Sequence, residues 1–215
     1  MSNKSEAKRS ANLFVFAAPS GAGKTTLVHA VVRKHPELRF SISYTTREPR
    51  INEANEVDYI FIDELEFMRL RDKDEMLEFA QVFDNFYATS RSQVESHLTD
   101  NRSVVLEIDW QGAQQVRESM PDCVTIFILP PSFQELERRL RDRRTDKPDV
   151  IERRLRDARS DMAHWQEFDH VIINDDLDDA ILALEDVLEG KGDASSTANP
   201  DLRAAVHRIT GQPPL

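Results

Sequence analysis

The chain is poor in cysteine, has no long apolar run and lacks an excess of basic residues. Cys123 is the single cysteine among 215 residues, so an internal disulfide is excluded and a reducing, cytoplasmic location is expected. No apolar run reaches the length of a membrane span, and the polar N-terminal sequence MSNKSEAKRSAN carries no apolar signal segment. These absences predict a protein that has no membrane partner.

The charge balance is acidic. The formal net charge is −11, whereas proteins that bind a nucleic-acid backbone need a basic surface, so nucleic acid is not an expected partner. Arginine is nevertheless concentrated in ELERRLRDRRTDKPDVIERRLRDAR, residues 135–159. This run fits either a site for a small anionic ligand or a solvated helix face with i,i+4 ion pairs.

Short apolar runs alternate with helical patterns along most of the chain. Runs rich in β-branched or aromatic residues are typical of buried parallel strands, and there are four: LFVFA from Leu13, VVLEI from Val104, VTIFIL from Val124 and HVIIN from His170. Helical patterns follow the first three, at 25–34, 111–119 and 132–143. This alternation predicts an α/β fold in which helices cover both faces of a parallel sheet.

The remaining segments interrupt this pattern. Residues 40–98 combine strand-like stretches with one helical stretch, DELEFMRLRD, and predict a small mixed α/β lobe inserted in the core. Residues 1–11 are expected to be disordered, and 191–215, rich in Gly, Ser and Pro, to be a flexible tail with at most a short helix. The predicted domain, 12–190, then has two core segments, 12–39 and 99–190.

The sequence APSGAGKTT follows the first predicted strand and opens the first predicted helix. It departs from the G-x-x-x-x-G-K-[ST] phosphate loop only at the first glycine position, which holds Ala18. Gly21 and Gly23 would let the backbone approach a phosphate, Lys24 would neutralise its charge, and the Thr25 hydroxyl would bind Mg²⁺. The flanking strand and helix favour a P-loop NTPase-type site over a simple turn, with contacts from Ala18, Pro19, Ser20, Gly21, Ala22, Gly23, Lys24, Thr25 and Thr26.

A second candidate feature is the acidic end of the strand in VVLEIDWQG. Glu107 and Asp109 follow an apolar run, and carboxylates at such a position can hold the water shell of a metal or accept hydrogen bonds from a base. Many strands end in aspartate, so this signal gains its meaning from the neighbouring phosphate loop.

Several separate motifs resemble the guanylate kinase family. After the loop come SISYTTREPR, EVDYIF, MLEFAQV and NFYATS in the family's order, and the resemblance extends from about Leu13 to Leu188. It implies transfer of the γ-phosphate of ATP to GMP and dGMP, for guanine nucleotide recycling and synthesis, with Mg²⁺ as cofactor and 40–98 as the GMP-binding lobe. Family members can associate, so a homo-oligomer is compatible with the resemblance and the oligomeric state stays open.

The acceptor lobe contains residues whose chemistry suits GMP. Charge-assisted and hydroxyl hydrogen bonds can clamp one phosphate monoester, and the candidates are Arg47, Arg50, Tyr59 and Tyr87. A surface ion-pair cluster with nearby glutamates is the alternative for the two arginines. Guanine presents adjacent N–H donors, which suit a carboxylate, and an O6 acceptor, which suits a hydroxyl. By resemblance, the donors meet Glu78 and Asp109, and O6 meets Ser43 and Thr89.

The resemblance also gives the arginine-rich run a role. The corresponding family segment is a helical lid that closes over ATP, here within 132–160, and its arginines match Arg139, Arg143 and Arg154. Together with Lys24 and Arg47 they would supply the positive charge that phosphoryl transfer needs. The stretch VIINDDLDDA resembles the family segment near adenine, which places Asn174 there.

Five positions depart from glycines usual in the family: Ala18, Asn52, Glu56, Ala88 and Arg144. Alanine suffices at 18 if the backbone there needs no positive φ. Glutamate adopts positive φ poorly, so an altered turn is expected at Glu56, just before Tyr59. Arg144 would add charge at a turn of the lid.

Two other functions compete with GMP phosphorylation. Guanylate-kinase-like scaffolding domains have lost ATP binding and hold phosphorylated peptides, but the intact GAGKT segment argues against that function. A kinase acting on another phosphorylated small molecule, such as a ribose phosphate, would not need the donor and acceptor pattern of Glu78, Ser43 and Thr89. Comparing ADP release across acceptors separates the three.

Overall fold

The computed structural model describes residues 11–82, 84–142 and 147–211. Its strands are β1 (Leu13–Ala17), β2 (Arg39–Phe40), β3 (Tyr44–Thr45), β4 (Ile60–Phe61), β5 (Met76–Val82), β6 (Asn85–Ser90), β7 (Val104–Glu107), β8 (Val124–Leu129) and β9 (His170–Ile173). Its α-helices are α1 (Lys24–Lys34), α2 (Glu64–Asp72), α3 (Arg91–Thr99), α4 (Trp110–Ser119), α5 (Phe133–Asp142), α6 (Pro148–Met162), α7 (Leu177–Leu188) and α8 (Pro200–Thr210).

Five parallel strands form the core sheet, in the order β2-β7-β1-β8-β9. Successive side chains of β1 enter different apolar clusters. Val15 packs in the cluster formed with α4 and α6, and Phe16 packs in the cluster formed with α1 and α7. Burial of both faces is the reason why these strands are apolar throughout rather than alternating. The predicted α/β fold, with helices on both faces of a parallel sheet, is confirmed.

A second, four-stranded sheet forms the inserted lobe, in the order β4-β3-β6-β5. It pairs β3 with β4 in parallel and the other neighbours antiparallel, and its own apolar cluster includes Phe67 and Leu70 of α2. The stretch FSISYTT is divided between the two sheets, because Phe40 pairs with Val105 of β7 while Tyr44 pairs within the lobe. The sequence analysis did not identify α3, whose apolar periodicity is weak.

The carboxyl ends of the central strands meet at one edge of the core sheet. Because β1 and β7 are parallel, with Phe16 opposite Glu107, the loop after β1 and the Ile108–Asp109 connection after β7 lie side by side. Asp109 caps α4, since its side chain accepts from the Gly112 N–H at 2.7 Å. Such crevices at strand ends are the usual ligand sites of α/β sheets.

The last described segment packs on the core. Asn199 caps α8 by accepting from the Asp201 N–H at 3.0 Å, Val206 is fully buried, and His207 meets the Trp165 ring edge-on. Apolar residues at helical spacing let this segment bury a face. The short helix allowed within 191–215 is present as α8, and its packing on the core differs from the flexible tail that was expected there. None of the helices in the described part of the chain has the length and apolarity to cross a bilayer.

Candidate active site

A cleft of about 350 Å³ lies where the ends of β1 and β7 face the inserted lobe. The core contributes the phosphate-loop segment, the lobe contributes strand residues, and α6 closes a third side. Most of the site residues predicted from the sequence line this cleft: Ala18, Pro19, Ser20, Gly21, Gly23, Lys24, Thr25, Thr26, Ser43, Tyr59, Glu78, Tyr87, Glu107, Asp109 and Arg154.

The loop after β1 owes its shape to two glycines. Gly21 and Gly23 have φ values of 93° and 91°, a region that L side chains rarely adopt. Space excludes a side chain as well, because a Cβ on Gly23 would lie 2.4 Å from the Asn174 Nδ2. Among the described residues other than glycine, positive φ occurs at Glu56, Asp74 and Asn101, so the backbone at Ala18 does not require glycine.

The first turn of α1 is tied to the end of β7. The Lys24 ammonium donates to the Ile108 carbonyl at 2.6 Å, and the Thr25 hydroxyl donates to the Glu107 carboxylate. Burial lowers the pKa of Lys24, while the carboxylates of Glu107 and Asp109 oppose that shift. The cleft floor therefore presents a cation, a hydroxyl and a carboxylate next to the N-terminus of a helix, a combination suited to a phosphate and its metal ion.

Glu78 is a buried carboxylate on β5. It is 3% exposed and accepts from the Thr89 hydroxyl at 2.7 Å. Burial raises its pKa to about 7, the Thr89 hydrogen bond opposes this shift, and the charge of Asp109 adds to it. A perturbed carboxyl group in a cleft is a functional candidate, and the Glu78 and Thr89 pair provides an acceptor beside a hydroxyl.

Arg47 lies beside the tyrosines of the lobe. Its guanidinium pairs with the Glu53 carboxylate at 2.9 Å and lies 5.3 Å from the Tyr59 ring centroid, and the Tyr59 and Tyr87 rings are 5.9 Å apart. Hydrogen bonding from Arg47 lowers the pKa of Glu53. The Arg50 side chain is 72% exposed, with its guanidinium 3.7 Å from Glu53. The alternative of an ion-pair cluster thus describes the contacts of both arginines in this structure.

Arg139 and Asn174 support the loop from behind. The Asn174 amide donates to the Ala22 carbonyl at 2.8 Å, and Arg139 donates to the carbonyls of Ala22 and Asn174 at 3.3 and 3.0 Å. Ala22 itself is fully buried. These contacts satisfy the Ala22 and Asn174 carbonyls, and within the loop the Ala22 N–H donates to the Pro19 carbonyl at 3.2 Å. Arg143, predicted as catalytic, and Arg144 lie outside the described residues.

One face of α6 borders the cleft with two carboxylates that the sequence analysis did not select. Asp157 and Asp161 lie three and seven residues after Arg154, so the three share a helix face. Burial raises the pKa of Asp161 to about 6, and the Trp110 indole donates to it at 3.1 Å. Helical spacing from Arg154 was the signal that could have identified both.

Other arginines of the run form surface ion pairs. Arg138 pairs with Glu135 at 2.7 Å, and Arg141 pairs with Glu137 at 2.7 Å and Glu152 at 2.9 Å. This is the solvated helix face that the charge pattern allowed. Within one run, Arg139 and Arg154 turn inward while Arg138 and Arg141 remain outside.

Comparisons with known proteins agree with this architecture. A protein-family model described as guanylate kinase matches residues 10–191. Guanylate kinase of Aromatoleum aromaticum is 54% identical over 169 residues, 79% of this chain and 83% of the relative. That of Alkalilimnicola ehrlichii is 47% identical over 203 residues, 94% of this chain and 93% of the relative.

A solved structure carries the likeness into three dimensions. The crystal structure of guanylate kinase from Anaplasma phagocytophilum aligns with a TM-score of 0.72 at 31% identity, covering 93% of this chain and 96% of that one. The resemblance found in the sequence motifs is confirmed by family match, relatives and fold alike. This chain belongs to the guanylate kinase family.

Proposed function

We propose that this chain transfers the terminal phosphate of ATP to GMP in the cleft between the core sheet and the lobe. The core side would bind the donor and the lobe would bind the acceptor, so that the γ-phosphate of ATP and the single phosphate of GMP would meet near Lys24. The observation that carries the proposal is the buried Glu78 carboxylate, paired with the Thr89 hydroxyl at 2.7 Å in a cleft that also holds the phosphate loop.

The donor phosphates are proposed to bind the loop N–H groups and Lys24. Thr25 and Glu107 present a hydroxyl and a carboxylate in contact, hard oxygen donors of the kind that Mg²⁺ prefers. Within the described residues, no three His, Cys, Asp or Glu side chains cluster to hold a metal ion, so these two residues would hold it together with nucleotide phosphates and water. When bound, the ion neutralises charge on the phosphates.

The acceptor base is proposed to be recognised by hydrogen-bond polarity. The ionised Glu78 would accept from guanine N1–H and the exocyclic amine. The Ser43 and Thr89 hydroxyls would donate to O6, for which Thr89 would release the hydrogen bond that it donates to Glu78 in this structure. Adenine reverses the polarity at N1 and at the six-position, so AMP would leave buried groups unpaired. A site built this way rejects the wrong base by a factor on the order of 10⁴.

The acceptor phosphate is proposed to take the place of the carboxylate in the internal ion pair of the lobe. Arg47 holds Glu53 in this structure, and a phosphate monoester with Tyr59 and Tyr87 nearby would compete with that carboxylate for the guanidinium. Lys24, Arg47 and Arg154 would then surround the transferring group with positive charge. A phosphate oxygen is already an anionic nucleophile, so no protein base is needed. Arg143 is proposed for this role on the family resemblance alone.

The cysteine content and the net charge of the chain bear on its location and partners. Cys123 is buried and free, and the net charge of −11 suits a small-molecule enzyme rather than a nucleic-acid binder. We therefore propose a cytoplasmic enzyme whose partners are ATP, GMP and dGMP.

The test is ADP release from ATP and Mg²⁺ with GMP, dGMP, AMP, UMP and ribose 5-phosphate as acceptors. We expect turnover with GMP and dGMP. Absence of ADP with every acceptor would favour a binding module and overturn the proposal, as would turnover of ribose 5-phosphate without GMP. Glu78→Gln is expected to impair GMP use while ATP binding is retained, and Glu75→Gln, at a half-exposed position just before β5, is the matched control.

A further inference from the structure

The free edge of β5 contacts a helix of the core rather than another strand. Among the residues that the structure describes, β5 is the last strand of the lobe sheet and pairs with β6 alone, so one side of its backbone needs partners from elsewhere. The Gln115 amide of α4 supplies them at Phe79. Its Nε2 donates to the Phe79 carbonyl at 2.8 Å, and its Oε1 accepts from the Phe79 N–H at 3.1 Å. The side chain thus replaces one residue of a missing strand.

One turn earlier, the same helix makes room for the preceding residue of β5. Gly112 faces the Glu78 carboxylate so closely that a Cβ would lie 2.5 Å from Oε2 and 3.2 Å from Cδ. One further turn back, Asp109 caps α4 by accepting from the Gly112 N–H at 2.7 Å. Asp109, Gly112 and Gln115 are spaced by three residues and lie along one side of the helix.

This contact joins two parts of the protein that have separate sheets. Ala113 and Val116 anchor α4 in the core cluster, whereas β5 belongs to the lobe sheet. Leu77 of β5 is buried in the same core cluster, so the Gln115 contact at Phe79 and the packing of Leu77 together set where the intervening Glu78 carboxylate stands relative to Asp109 and the phosphate loop.

We propose that Gln115 is a positioning residue for the acceptor base and that Gly112 determines specificity by leaving the space that the Glu78 carboxylate occupies. This inference rests on the proposed role of Glu78 in reading guanine. Gln115 holds the register between core and lobe, and Gly112 sets how far the carboxylate can withdraw toward α4. Neither residue is assigned a contact with the reacting atoms.

The test compares Gln115→Met with Gln114→Met. Gln114 is the adjacent residue of the same type, on another side of α4, where it donates to Glu167 at 2.6 Å. For Gln115→Met we expect KM for GMP to rise about fivefold to tenfold, from the loss of two hydrogen bonds, while KM for ATP stays unchanged. The preference for GMP over IMP, which lacks the exocyclic amine, should shrink because the carboxylate is displaced. Gln114→Met should alter none of these.

Gly112→Ala provides a second, steric test. A methyl group would push the carboxylate out of its place, and we expect kcat/KM for GMP to fall about tenfold to a hundredfold. Binding of an unreactive ATP analogue, measured by titration, should match that of the unsubstituted chain and shows that the core is folded. An Ala variant that keeps the GMP kinetics would overturn the steric role.

The outcomes separate this inference from the proposed function. The proposed function is tested by the unsubstituted chain alone, and it is wrong if that chain does not phosphorylate GMP. If it does, and Gln115→Met raises KM for GMP and ATP equally or keeps the GMP over IMP ratio, then Gln115 serves general stability and the positioning role is wrong.

Discussion

The Glu78 carboxyl group should make GMP binding depend on pH near neutrality. Guanine offers donors to Glu78, so the base favours the ionised form, whereas burial favours the protonated form and raises the pKa to about 7. Asp109 adds to that shift, and Thr89 and Lys24 oppose it. Binding of GMP should therefore lower the pKa of Glu78 and release a proton.

The size of the effect follows from the ionised fraction. With a pKa of about 7, the Glu78 carboxyl group is ionised in roughly one tenth of the molecules at pH 6 and in roughly nine tenths at pH 8. The apparent Kd for GMP should therefore fall about tenfold across that range. The same shift has a stability consequence of opposite sign. Between the ordinary value of 4.5 and about 7 the folded chain retains a proton that the unfolded chain has lost, so stability decreases as pH rises, by about 3 kcal/mol in all.

The assay is calorimetric titration of GMP at several pH values and in buffers of different ionisation enthalpy, which counts released protons. Because the GMP phosphate itself titrates near pH 6, ribose 5-phosphate measures the contribution of the phosphate alone. Glu78→Gln should lose the additional pH dependence and should be more stable than the unsubstituted chain at pH 8. If GMP and ribose 5-phosphate have the same pH slope, or if Glu78→Gln keeps the slope, the reasoning is refuted.

Three further predictions concern the lobe, the loop support and the surface. Glu56→Gly should raise the free energy of unfolding by about 0.5–1 kcal/mol. The strain of an L side chain at φ 63° is relieved, and this gain exceeds the extra backbone entropy that glycine loses on folding. An unchanged denaturation midpoint would contradict this. Asn174→Ala should lower the free energy of unfolding by about 1–3 kcal/mol and raise KM for ATP, because the buried side-chain amide no longer donates to the Ala22 carbonyl. Unchanged ATP kinetics would exclude the support role. Arg141→Ala, at an exposed ion pair, should leave melting temperature and kinetic constants unchanged, and a marked loss of activity would place it in the site.

The core of the fold could be predicted because its strands are buried on both faces. The runs beginning at Leu13, Val104, Val124 and His170 each became a strand of the core sheet. The lobe was harder, because β3 and β4 are two residues long, too short for a period to appear. The packing of helix α8 was not predicted, because the prediction for the tail was based on its composition and not on the spacing of its apolar residues around Val206.

The site divides in the same way. Motif spacing found the loop residues, and family resemblance found Glu78, whose local sequence resembles that of any strand carboxylate. No local pattern could show that Arg139 supports the loop while the adjacent Arg138 remains outside, because that depends on how α5 rotates against the core. The Gln115 contact with Phe79 depends likewise on the approach of a core helix to a lobe strand.

Two of the glycine replacements, Ala18 and Glu56, have different physical consequences. At Ala18 the φ angle is not positive, so a Cβ costs nothing in backbone strain and the loop keeps its shape through Gly21 and Gly23. At Glu56 the backbone has φ 63°, and the turn is still closed by the Glu56 N–H donating to the Tyr59 carbonyl at 2.8 Å. Glu56 therefore adopts the positive φ that glycine tolerates without strain, and the expected consequence of the substitution lies in the energy of the turn. Because Tyr59 lines the cleft three residues later, the strain at Glu56 lies in a turn that precedes a candidate site residue.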